Sequence, residues 1–140
     1  MRRLISSRLW RDVPAMTMRE ATGGCHCGKV HFRVRFADPP ELLDCNCSIC
    51  AKTGFLHLIV AKADFTLERG ADALTDYRWG SGTAQHLFCS TCGIKSFYVP
   101  RSHPHGFSVN WRALDGVDDV QPLIRPYDGK NWEKARADLG

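Results

Sequence analysis

The chain has 140 residues and a mass of 15.7 kDa, which fits one domain and leaves little room for two. With 44% hydrophobic and 24% charged residues, and no run near the ~18 to 20 apolar residues that span a bilayer, the composition excludes wholesale disorder and a membrane-spanning helix. The formal charge of +4 is concentrated at one end: residues 1–21 hold five arginines against two acids, +3, while residues 22–140 hold 14 basic and 13 acidic residues, +1. The nearly neutral remainder weakens the case for nucleic acid as a partner.

Residues 1–21 read as a flexible basic N-terminal extension, interrupted by Pro14 and too sparsely apolar for a signal-peptide core. A transit segment and an alternative start at Met16 or Met18 both remain open for it. Residues 22–140 read as one domain of short strands. Val30, Phe32, Val34 and Phe36 alternate with His31, Arg33 and Arg35, a period of two that Asp38-Pro39-Pro40 ends. Leu56–Ala61 and Phe65–Glu68 follow as apolar strands. Leu74–Trp79 alternates again and stops at Gly80-Ser81-Gly82. Ala84–Phe88, Ser96–Val99, Phe107–Trp111 and Val120–Ile124 complete the set. Only Asn131–Leu139 reads as a helix, with Trp132, Ala135 and Leu139 on one face. The expectation is a mainly β domain of modest core, to which bound metal would add stability.

Seven cysteines, at 25, 27, 45, 47, 50, 89 and 92, are too few for a disulfide scaffold and too odd in number for complete pairing. Their grouping suits metal ligation. Cys25 and Cys27, two apart in extended chain, present both thiols to one side. Cys89-Ser90-Thr91-Cys92 has the spacing of a tight turn, and Gly93 supplies the positive φ that closes it. These four make a complete tetrahedral set, joined across the 61 residues between Cys27 and Cys89. Cys45, Cys47 and Cys50 form a second group of three and leave a fourth position open, the property that separates catalytic from structural zinc. Two zinc ions per chain are therefore expected. His57 or His86 as a fourth ligand of the second site, Cys47 or Cys50 as a redox or nucleophilic thiol, and buried non-ligating cysteines are the competing readings.

The runs Gly24-Cys25-His26-Cys27-Gly28, Asp44 to Cys50, Phe88 to Tyr98 and Asn131-Trp132-Glu133 resemble the glutathione-dependent formaldehyde-activating enzyme family, which also includes centromere protein V. The resemblance runs from about Gly23 to about Lys134, and Ala84 to Ser102 is especially similar to the centromere protein V branch. It implies a zinc-held β-tent of antiparallel sheets. It also implies a structural zinc on Cys25, Cys27, Cys89 and Cys92, and a catalytic zinc on Cys45, Cys47 and Cys50. The implied activity is a carbon–sulfur lyase that joins formaldehyde to glutathione or a related thiol, in the cytoplasm and away from membranes. A non-catalytic zinc module that binds a protein or nucleic acid is the alternative.

Arg101, Arg112, Lys52 and Lys95 are candidate partners for substrate carboxylates, and Trp111 and Trp132 candidate pocket walls. Asn46, Ser48 and Thr53 are candidates to orient the ligands of the second site.

Overall fold

The structure, a computed structural model, describes residues 17–131. Its central strand on one side is β2 (His31–Asp38), whose alternation has the expected outcome: Val30, Phe32 and Val34 are completely buried, and His31, Arg33 and Arg35 face outward. Arg33 bridges Glu20 and Glu68 on the outer face.

β1 (Thr17–Gly24) pairs antiparallel with β2 along its whole length, from Thr17 against Asp38 to Gly24 against His31. Thr17 to Ala21, expected in a flexible extension, are thus part of a sheet, and the boundary set after residue 21 is corrected to the start of β1. The inward positions of β1 are Ala21 and Gly23, so it carries no apolar signature. A Cβ at Gly23 would meet the carbonyl of Ala113 at once. Residues 1–16, and the helix expected from Asn131 onward except Asn131 itself, lie outside the described residues.

β3 (Glu41–Cys45) and α1 (Ser48–Thr53) were not expected, being too short for a periodic signal. β4 (Leu56–Ala61) and β5 (Phe65–Arg69) lie where the sequence placed them. β6 (Leu74–Tyr77), β7 (His86–Cys89), β8 (Phe97–Tyr98), β9 (Gly106–Asn110), β10 (Leu114–Asp115) and β11 (Leu123–Tyr127) follow.

The strands form three sheets, ordered β11-β3-β4-β9-β8, β10-β1-β2-β5 and β6-β7. All pairings are antiparallel except β11 with β3, which runs parallel and sets Tyr127 beside Cys45. The two larger sheets meet on a shared aromatic core. Phe32 of β2 lies 5.1 Å from Phe65 and 5.7 Å from Phe97, and Phe65 stacks on Phe107 at 4.4 Å. β4 sits mid-sheet and is buried at Leu56, His57, Leu58 and Val60, which explains an apolar run broken only by His57. The mainly β architecture agrees with the sequence, and both cysteine groups sit at strand ends on this frame.

Candidate functional site

Cys25 and Cys27 lie in the turn between β1 and β2. The turn is closed by a Cys25 N–H bond to the Val30 carbonyl at 3.0 Å, with Gly28 at φ 83°. Cys89 ends β7, and Cys92 follows in a turn where the Gly93 N–H donates to the Cys89 carbonyl at 2.8 Å, Gly93 having φ 78°. A Lys29 Nζ bond to Thr91 Oγ1 at 3.0 Å ties the two turns together.

The four sulfurs lie within 4.8 Å of one another. Cys27 Sγ is 3.6 Å from both Cys25 Sγ and Cys89 Sγ, close to the ~3.8 Å edge of a tetrahedron built on ~2.3 Å metal–sulfur bonds. The Lys29 N–H favours a Cys27 thiolate, but desolvation and the crowding of Cys25, Cys89 and Cys92 push the thiol up to about 11. Burial opposes ionisation of Cys92, yet the N–H groups of Cys27 and Ile94 outweigh it and bring the thiol to about 6. Sulfurs packed this closely cannot all ionise unless a cation joins them, so the donor set fits a metal ion.

Cys45 ends β3, Cys47 caps the N-terminus of α1 and Cys50 lies inside that helix, so one tight corner gathers three sulfurs within 4.8 Å of one another. Contacts with Cys45 and Cys50 and the N–H groups of Cys50 and Ile49 hold Cys47 far below the usual thiol range. Cys45 is pushed up, chiefly by Cys47 against a lowering contact with Cys50, and Cys50 is pushed up by Cys45 and Cys47. This group too is a donor set that fits a metal ion.

A segment far downstream braces the corner. The Asn46 side chain donates to Asp128 at 3.0 Å and accepts from the Lys130 N–H at 3.0 Å, and the Asn46 N–H donates to the Tyr127 carbonyl at 3.2 Å. Of the three residues expected to orient the ligands, Asn46 is the one the structure ties to a distant element. Thr53 bonds to the Ile49 carbonyl within α1.

Beyond the three cysteines opens a cavity of about 510 Å³. Its wall includes all three sulfur-bearing residues with His57, Trp79, His86, Tyr98, Arg101 and Lys130, and among the described residues no acid lines it. His57 Nε2 is 3.1 Å from Cys50 Sγ, while Nδ1 lies 2.8 Å from Ser108 Oγ and 3.3 Å from Tyr98 Oη. Burial first, then the Lys95 charge, bring the His57 imidazole down to about 4. His86 falls to about 4 for the same reasons, and burial brings Lys95 down to about 8 against the pull of the cysteine sulfurs.

Among the expected substrate contacts, Arg101 lines the cavity and Lys95 lies behind its wall. Arg112 donates instead to the Gly54 carbonyl, Lys52 is exposed on α1, and Trp111 packs on Phe36 in the core. Trp132 lies outside the described residues. Trp79, Tyr98 and Lys130 were not singled out from sequence as cavity residues. Only the fold brings them to Cys45–Cys50, and no spacing in the chain announces it.

The profile of the family described as "Glutathione-dependent formaldehyde-activating enzyme" matches residues 20–130. A Halomonas elongata protein provisionally named a glutathione-dependent formaldehyde-activating enzyme is 35% identical over 78 residues, which are 50% of this chain and 50% of that protein. The match therefore spans about half the length of that curated relative. A crystal structure of a Rhodobacter sphaeroides protein is 37% identical with a TM-score of 0.63, covering 74% of this chain and 99% of that one.

Proposed function

The chain belongs to the glutathione-dependent formaldehyde-activating enzyme family, and from that premise we propose that it joins formaldehyde to a small thiol of the glutathione kind, or releases it, as a carbon–sulfur lyase. The observation that carries this reading is the difference between the two cysteine groups. Cys45, Cys47 and Cys50 line the 510 Å³ cavity, whereas none of Cys25, Cys27, Cys89 and Cys92 does. We assign a structural zinc to the four and a catalytic zinc to the three, two per chain.

A zinc ion held by three thiolates with one position open supplies a Lewis acid beside which a thiol ionises readily. The chain's own residues supply the rest. With Cys50 as a metal-bound thiolate, which can only accept, His57 would donate its Nε2 proton to that sulfur and hold it in place, leaving Nδ1 to accept from the Ser108 hydroxyl. Among the described residues the cavity wall holds Arg101 and Lys130 and no acid, which favours an anionic substrate. In the joining direction the thiol sulfur gains a bond to the formaldehyde carbon. The carbonyl electron pair moves to oxygen, which takes up the proton that the thiol released. Holding both reactants in one cavity contributes through proximity. A cytoplasmic setting suits seven cysteines that are all free thiols. Among the described residues no helix is long and apolar enough to cross a membrane.

Metal analysis combined with NMR exchange between formaldehyde and glutathione tests the reading. Two zinc ions and exchange faster than the spontaneous background are expected. Two zinc ions with no acceleration would leave a zinc module without this reaction.

A further inference from the structure

His86 opens β7 with its imidazole between two rings, 6.1 Å from Trp79 at 23° and 5.2 Å from Tyr98 at 12°, so the plane of the ring is fixed where it meets the cavity. Lys95 Nζ lies 2.8 Å from His86 Nδ1. An ammonium has donors and no acceptor, so Nδ1 accepts, and a neutral ring then carries its proton on Nε2. Nε2 makes no hydrogen bond among the described residues, and it is not one of the sealed polar atoms that lack one. It therefore faces the cavity that His86 lines.

Lys95 is 8% exposed and forms no ion pair with a carboxylate among the described residues. Its ammonium lies over the Tyr98 ring at 3.9 Å and the Phe55 ring at 5.1 Å. The sulfurs of Cys45, Cys47 and Cys50 offset part of the cost of burying this cation, and its field also acts through His86 on whatever occupies the cavity. Asp76 is the carboxylate whose charge reaches His86, and no acid among the described residues lines the cavity; there a donor N–H backed by a cation matches an anionic oxygen.

We propose that His86, locked by Lys95 with its proton on Nε2, is the specificity-determining donor that receives a carboxylate of the thiol substrate. The proposal rests on the reading of the cavity as a site for a thiol of the glutathione kind and adds to it the residue that receives a carboxylate. His86 fixes the anionic end of the substrate, and Lys95 is a positioning residue that acts through it.

The test uses the zinc-loaded protein with 15N-labelled histidine and two probes. S-Methylglutathione keeps both carboxylates and has no ionisable thiol; its diethyl ester has lost the carboxylates. The His86 imidazole should resonate as the Nε2–H tautomer. S-Methylglutathione should shift that signal to saturation, and the ester should bind roughly tenfold or more weakly. Lys95→Met should mix the two tautomers and weaken S-methylglutathione binding by a similar factor. An Nδ1–H or charged His86, an unmoved signal, or equal binding of acid and ester overturns the proposal. Should Lys95→Met fail to fold, the wild-type arms decide alone. Because neither probe has a free thiol to join to formaldehyde, and the binding arms are run without formaldehyde, they are independent of turnover: wild-type protein that binds S-methylglutathione without accelerating formaldehyde exchange would overturn the reaction and leave the carboxylate site standing.

Discussion

Cys50 Sγ and His57 Nε2 lie 3.1 Å apart, joining α1 to β4 through a buried contact between a thiol and an imidazole. The far side of the ring is held by Ser108 of β9 and Tyr98 of β8, so three strands of one sheet set the angle at which His57 meets the sulfur. Positioning of this kind is what partners behind a metal ligand provide.

Removing that partner should loosen the three-cysteine site alone. His57→Ala is expected to lower its zinc affinity roughly 10- to 100-fold, read as an early phase of release to a chelator, while the second zinc leaves at the wild-type rate. With cobalt in place of zinc, the sulfur-to-metal absorption should shift, and His57→Gln, which keeps an N–H donor, should restore part of it. Release from His57→Ala with no early phase, at the wild-type rate for both ions, would show that the imidazole does not support the site.

The two cysteine groups should fail differently. Cys47→Ala is expected to lower zinc from two to about one per chain and abolish turnover with the fold retained, because its group occupies one corner between β3 and α1. Cys89→Ala unties turns that are 61 residues apart. It should lower the melting temperature by roughly 10 °C or more, as expected for a loss of a few kcal/mol from a domain of this size. Unchanged activity in Cys47→Ala would remove the catalytic assignment.

How much of this was legible in the sequence follows from the range of each signal. The cysteine groups were readable because ligand spacing is local, and β2 and β4 because their side chains declare their faces. β1 was missed because backbone pairing holds it and its inward residues are Ala21 and Gly23. α1 was missed because six residues show no period. Most of the cavity wall is not legible because Trp79, Tyr98 and Lys130 converge only through sheet topology, whereas His57, His86 and Arg101 are already candidates from the sequence. Asn46 was suspected from its place between two ligands, but its partners Asp128 and Lys130, more than 80 residues on, were not readable from the chain.

Burial of Lys95 sets a pH dependence whose sign is fixed. Its ammonium ionises at about 8 in the folded protein against an ordinary 10.5, chiefly through desolvation. Below pH 8 the group is charged in both folded and unfolded states, and the full cost of burying it is present. Between 8 and 10.5 the unfolded chain binds a proton that the folded protein lacks, so stability rises with pH. Relative to Lys95→Met, the wild type should gain about 3 kcal/mol across that interval, measured as denaturant midpoints at pH 7.5 and pH 10. A difference that stays flat would mean that the ammonium is not desolvated.

Gly129 gives the most specific test of the downstream brace. It begins the 3₁₀ turn Gly129–Asn131, and a Cβ at this position would collide with Cys45 Sγ and lie 2.9 Å from the Cys47 Cβ. Both neighbours are pinned, Cys45 by the pairing of β3 with β11 and the Asn46 loop by Asp128 and Lys130. Gly129→Ala must therefore push the turn away or spread the sulfurs. The expected outcome is zinc falling toward one per chain and turnover falling with it. The melting temperature should change by only a few degrees, because the aromatic core between the large sheets is remote from this turn. Lys130→Ala is the control. It is the backbone N–H of Lys130 that bonds to Asn46, so removing the side chain should leave two zinc ions in place. Two zinc ions in Gly129→Ala would show that the turn yields freely and does not shape the three-cysteine corner.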